Sequence, residues 1–195
     1  PSSVTAIEDF AFFYCSSLSE VHISDLAAWC NISFGWGSDY PYESNPMQAG
    51  GRLYLNGELI TNLRIPDGVT TIKKLAFIGI SADTVIVPES VSSIDVSTFT
   101  KGTFNKIVFL NPSCRIDIAI DSVPPFPSAA KIYGYAGSTM EAYAAEKGYT
   151  FVALDPMSLT AKASAATYAS GTATLRVTAT PTVTEGMEVE RYGVF

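Results

Sequence analysis

The chain has 195 residues, 47% of them hydrophobic and 16% charged, with a formal net charge of -7. That length supports a core of more than one folding unit, and the acidic balance excludes a nucleic-acid surface, because a phosphate backbone needs a basic patch. No apolar run approaches the roughly 20 residues of a membrane span and no basic-then-apolar leader opens the chain; because it starts within a repeat at Pro1 and stops within a strand-like run at Phe195, we expect a piece of a longer protein whose signal and anchor lie outside it.

The first element is a motif, PSSVTAIEDFAFFYCSSLSEVHI at 1–23, which returns as PDGVTTIKKLAFIGISADTVIV from Pro66 and as PESVSSIDVSTFTKGTFNKIVF from Pro88. Pro66 and Pro88 stand 22 residues apart, a period that points to stacked repeats. Superposing the copies aligns Val4, Val69 and Val91, then Ile7, Ile72 and Ile94, then Phe12, Phe77 and Phe99. The phenylalanines are expected in equivalent interior sites, since each coil buries its apolar face only against the next. Cys15, which takes the position of Ile80 and Gly102, reads as a small buried repeat residue. Each copy ends in an alternating, β-branched run, at 21–23, 85–87 and 107–109, the pattern of a short strand with one buried face. Runs 63–65 and 132–134 fit the same ladder. Its inward column is expected to be Val21, Leu63, Val85, Ile107 and Ile132. The successors His22, Arg64, Ile86, Val108 and Tyr133 then face outward beside Glu20, Asn62, Thr84, Lys106 and Lys131. Pro66 and Pro88 follow strands, where a missing N–H does not interrupt the ladder.

Residues 24–61 break the period and read as an elaborated repeat. Ser24 suits the N-cap of a short helix through Ala28, and Asn56-Gly57 suits a type I′ hairpin. Between them lies SFGWGSDYPYESNP, a loop whose Trp36, Tyr40 and Tyr42 either form a sugar-stacking platform or lid the first repeat's core. After the third copy, RIDIAID sets Asp117 and Asp121 four apart, a spacing that invites a glycosidase reading. The alternation of Ile116, Ile118 and Ile120 instead gives both aspartates the solvent face of a strand. GYAGST at 134–139 could cradle a phosphate but lacks the P-loop lysine. Ser138 and Glu141 form a capping box, and Gly148 supplies the C′ residue of a helix from Thr139 to Lys147.

Run 150–154 closes the solenoid and Asp155-Pro156 makes a joint. Strands at 159–165, 172–180 and 188–195 then suit the start of an immunoglobulin-like sandwich, though three are fewer than that fold needs. The predicted fold is mainly β with short helices: an α/β solenoid of leucine-rich-repeat-like stacked strands over 1–154, with an elaborated repeat at 24–61 and a terminal cap at 132–154. The start of an all-β, sandwich-like module follows at 155–195.

Catalytic chemistry is not legible. Three cysteines without a C-x-x-C and a lone His22 make neither a disulfide scaffold nor a metal site, and no G-x-S-x-G frames a serine. No cofactor is expected. The pattern PxxVxxIxxxAFxxCxxLxxVxI at 1–23, with LYLNGELITNLRIPDGVTTI at 53–72 and IYGYAGSTMEAYAAEKGYTFVAL at 132–154, resembles the BspA-like family of surface leucine-rich repeat proteins. Ile80 stands where that family usually has cysteine, the third copy is worn, and 111–129 carries almost no repeat signal. The resemblance implies an extracellular, bacterial, cell-surface protein that adheres to host matrix proteins or to other cell-surface proteins and is not an enzyme. The expected partner-binding residues are His22, Arg64, Ile86, Val108, Tyr133, Lys106 and Lys131, with Tyr133 and Arg64 as anchors. Two alternatives stand beside this: a carbohydrate-binding accessory region of a larger surface enzyme, in which Trp36, Tyr40 and Tyr42 hold a glycan, and a passive spacer.

Overall fold

Alternation in the repeat becomes parallel β-sheet. The computed structural model describes residues 3–35, 44–117 and 124–154, together with the backbone of 159–169 and 172–181. In the first coil, β1 (Ala6–Ile7) and β2 (Glu20–Ile23) flank a turn-rich arc. The second coil holds α1 (Leu26–Cys30), β3 (Ser33–Phe34), a 3-10 turn at Pro46–Ala49 and β4 (Arg52–Leu55), followed by the insert strand β5 (Glu58–Leu59). Then come β6 (Asn62–Arg64), β7 (Thr84–Val87), β8 (Ser93–Asp95), β9 (Lys106–Phe109), β10 (Arg115–Asp117) and β11 (Lys131–Tyr135). The cap is α2 (Thr139–Lys147) and β12 (Thr150–Leu154).

The main ladder runs β12-β11-β9-β7-β6, with Leu63, Val85, Ile107 and Ile132 in one register column. All four are 0% exposed, and each such aliphatic side chain stabilises the stack by roughly 1.5–3 kcal/mol. A second, shorter ladder runs down another wall of the coils: β1 pairs with β3, Ile72 bridges Ile94, and β8 pairs with β10. On the arcs between the ladders Phe77 stacks on Phe99, with centroids 5.7 Å apart, and Phe104 and Phe126 continue the row. The arcs are held by left-handed residues placed two before and two after the phenylalanine: Phe10 and Tyr14 around Phe12, Leu75 and Gly79 around Phe77, and Lys101 after Phe99.

The first strand does not join the main ladder where its sequence suggests. Val21 pairs with Leu53 in β4, not with Leu63. The predicted Asn56-Gly57 turn, with φ of 52° and 88°, folds β5 back antiparallel onto β4 and fills the edge that β6 would otherwise use. Sheet β2-β4-β5 therefore stands apart from the longer one. Buried polar bonds join the two segments instead. The Trp29 indole N–H donates to the Ala76 carbonyl at 2.8 Å, and the Asn45 amide donates to that of Leu75 at 2.8 Å.

Other expectations shift in the first two coils. Val4, Ile7, Phe12 and Val21 are half-buried where Val69, Ile72, Phe77 and Val85 are buried. Cys15 is exposed, not buried. The N-cap of α1 is Asp25, whose carboxylate accepts from the Ala28 N–H at 2.9 Å, one residue after the expected Ser24. Helix α2 matches its expectation, with Ser138 as N-cap and Gly148 left-handed at its end. Glu141 reaches back to the N–H of Gly137. The Thr139 hydroxyl donates to the carbonyls of Pro112 and Cys114, tying the cap to the preceding coil.

The chain divides into two units, Pro1–Ala153 and Leu154–Phe195. In the second, β13 (Leu159–Ala169) and β14 (Thr172–Pro181) form an antiparallel pair. The strand expected at 188–195 lies outside the described residues. Asp117 is exposed at the end of β10, while Ile118, Ile120 and Asp121 lie outside the described residues.

Candidate interaction face

The outer side of the main ladder carries one in-register row: Arg64, Ile86, Val108 and Tyr133. Alternation places them there, because their neighbours Leu63, Val85, Ile107 and Ile132 point into the core. Arg64 is exposed, and Ile86 and Tyr133 are half-buried. Val108 corrects the expectation of an exposed row, being 3% exposed. It sits between Ile86 and Tyr133 on strands about 4.8 Å to either side, so two larger side chains flank it and leave it little surface. Val108 is thus a filler between Ile86 and Tyr133, not a contact residue.

His22 does not belong to that row. Its register partner is Tyr54, and the two rings stack at 4.6 Å with 18° between planes. The His22 Nε2 lies 2.9 Å from the Glu20 carboxylate. Joining the first strand to Leu63 leaves Tyr54 out of the row; the LYLNGEL alternation, which places Tyr54 opposite Leu53 and Leu55, carries its signal.

Charge along the flank is graded. Lys106 and Lys131 pair in register beside the apolar row, Lys106 half-buried and Lys131 exposed. Asn62 is exposed at the head of their column, whereas Thr84 is buried, its hydroxyl donating to the Asp83 carboxylate at 3.2 Å. The Asn105 amide, 2.6 Å away, and Thr84 hold the Asp83 carboxyl below its usual range, with Lys106 adding to the effect. Arg64 lies 3.7 Å from Asp67 on the surface, a contact worth little because water screens it. The face is therefore apolar at Ile86 and Tyr133 and basic at Lys106, Lys131 and Arg64. Trp36, Tyr40 and Tyr42 lie outside the described residues.

Reactive chemistry is not assembled on this face. Burial pushes the thiols of Cys30 and Cys114 up to about 12, with Asp25 and Asp117 adding to it, so neither is a thiolate near neutral pH. Among the described residues no group of three His, Cys, Asp or Glu is placed to hold a metal ion, and no helix is long and apolar enough to cross a membrane.

A family model described as BspA type leucine rich repeat region, in 6 copies, matches residues 1–33 and 51–118. The gap between the two matches contains the aromatic stretch of the sequence and the 3-10 turn of the second coil. No curated protein and no solved structure matches the chain. With just over half of its residues matched and its coils stacked as parallel ladders, the chain belongs to the BspA-type leucine-rich repeat family.

Proposed function

We propose that this chain is a non-catalytic binding region of a bacterial cell-surface protein, and that it contacts a host matrix protein or another surface protein through the outer side of its main ladder. The observation that carries the reading is the register row Arg64, Ile86 and Tyr133 with Lys106 and Lys131 beside it. A rigid sheet presents these side chains without a backbone ordering cost at binding, and tyrosine and arginine are the residue types that most often dominate interface energetics. The basic flank stands on a chain of net charge -7, so it would favour an acidic patch on the partner and steer its approach. Family membership supports a surface location.

The test is a panel of immobilised matrix proteins probed by surface plasmon resonance with the native chain and with Ile86→Glu combined with Tyr133→Ala. Val108 is left intact, since it is buried. Binding that weakens about tenfold or more while circular dichroism stays native supports the face. Unchanged affinity in the double variant would remove it.

A further inference from the structure

A cleft of about 520 Å³ opens between the second and third coils, and we infer that it is a docking slot for an extended peptide segment of a protein partner. It is independent of the outer face proposed above, and its volume lies within the range of ligand pockets. The hairpin creates it. Strand β5 occupies one strand's width beside β4 but is only two residues long, and the chain then turns through Ile60 and Thr61 into β6. Below that turn no described residue continues β5, and Gly50, Gly51 and Ser81 line the cleft left there.

The backbone of the far wall is already in strand form. Ser81 bridges Thr103 of the next coil, and the bonds are made by its neighbours: the Thr103 N–H donates to the Ile80 carbonyl at 2.8 Å and the Ala82 N–H donates to the Thr103 carbonyl at 3.0 Å. In a parallel ladder the residue between two such bonds turns its own N–H and C=O to the opposite side. For Ser81 that side is the cleft, and these two groups have no backbone partner among the described residues. The group that satisfies a strand's N–H and C=O together, at strand spacing, is another strand.

The side chains suit a peptide. Gly50 and Gly51 line the near wall with backbone, their Cβ directions turned toward Leu18 and Val21 of the first coil, Ile60 and Ile80 give an apolar floor, and Arg52 and Asp83 stand at the rim with opposite charges. Two opposite charges favour a segment carrying both an acidic and a basic side chain, and the narrow slot favours small or β-branched residues between them.

The test begins with a phage-displayed library of linear heptapeptides panned on the full chain and counter-selected on Thr61→Trp, whose exposed position lets the larger ring fill the slot from its edge. An enriched peptide is then synthesised and titrated into isotope-labelled protein. The expected result is amide shifts clustered at Ser81, Thr61 and Arg52. Affinity should fall about tenfold or more when alternate peptide nitrogens are methylated, because methylation removes backbone donors and spares side chains. Ile86→Glu should bind the peptide as the native chain does. Failure to enrich any peptide, shifts outside the slot, or indifference to N-methylation on the native protein would overturn the inference. So would a glycan that moves the Ser81 amide where no peptide does.

Discussion

Truncating Phe77 to Ala is the sharpest test of the coil alignment. Its ring is 0% exposed and lies nearly parallel to that of Phe99, 11° apart. Removing about 150 Å² of buried apolar surface at roughly 25 cal/mol per Å² costs about 4 kcal/mol, with lost ring stacking in addition. The arc around Phe77 is pinned by backbone bonds from Phe77 to Thr98 and from Gly79 to Thr100, so it cannot collapse and the cavity persists. For a unit of this size about 2–4 °C of melting temperature corresponds to 1 kcal/mol, so calorimetry should show a fall of about 8–16 °C. Phe12→Ala, at the half-buried equivalent site in the first coil, should cost about half as much. Equal losses in the two variants, or a Phe77→Ala change below about 1 kcal/mol, would refute the packing.

Four further outcomes are expected. Asn45→Ala should destabilise by about 2–4 kcal/mol in denaturant titration, because it strands the buried Leu75 carbonyl and the Met47 N–H; Asn45→Asp should fare no better, as it restores the acceptor but not the donor. Maleimide at neutral pH should label Cys15 alone in the native protein and all three thiols after unfolding, as read by mass spectrometry. Because Cys30 and Cys114 titrate near 12 when folded against an ordinary 9.0, their contribution to stability is full below pH 9 and is lost as pH rises toward 12, where the unfolded chain releases protons the folded one retains. Lys101→Gly should stabilise by about 0.5–1 kcal/mol in the same titration, since Lys101 holds φ of 59° at the site where the preceding coil has Gly79.

The sequence announced the coils wherever the spacing was regular. Leu63, Val85 and Ile107 recur at the repeat period, and all three are core. It misplaced the first strand because an inserted hairpin supplies a better ladder partner, Leu53, inside a stretch whose period is broken. Alternation told which way Val108 points but not what flanks it, and exposure depends on the neighbouring strands as much as on direction. The cleft was not legible at all. It arises from a strand that ends too early, and no residue type marks a strand's absence.

The hairpin between β4 and β6 also gives the solenoid a mechanical grain. The third and fourth coils are joined by a four-residue parallel pairing and by arc bonds such as those from Phe77 to Thr98 and from Gly79 to Thr100. Across the hairpin, side chains carry much of the joint: the Trp29 indole, the Asn45 amide and a single N–H from Lys73 to the Cys30 carbonyl. Tension along the stack would be borne there by those few bonds instead of by a whole ladder of backbone bonds. Force applied across the stack would open that joint first, while the phenylalanine-lined coils beyond it stayed wound.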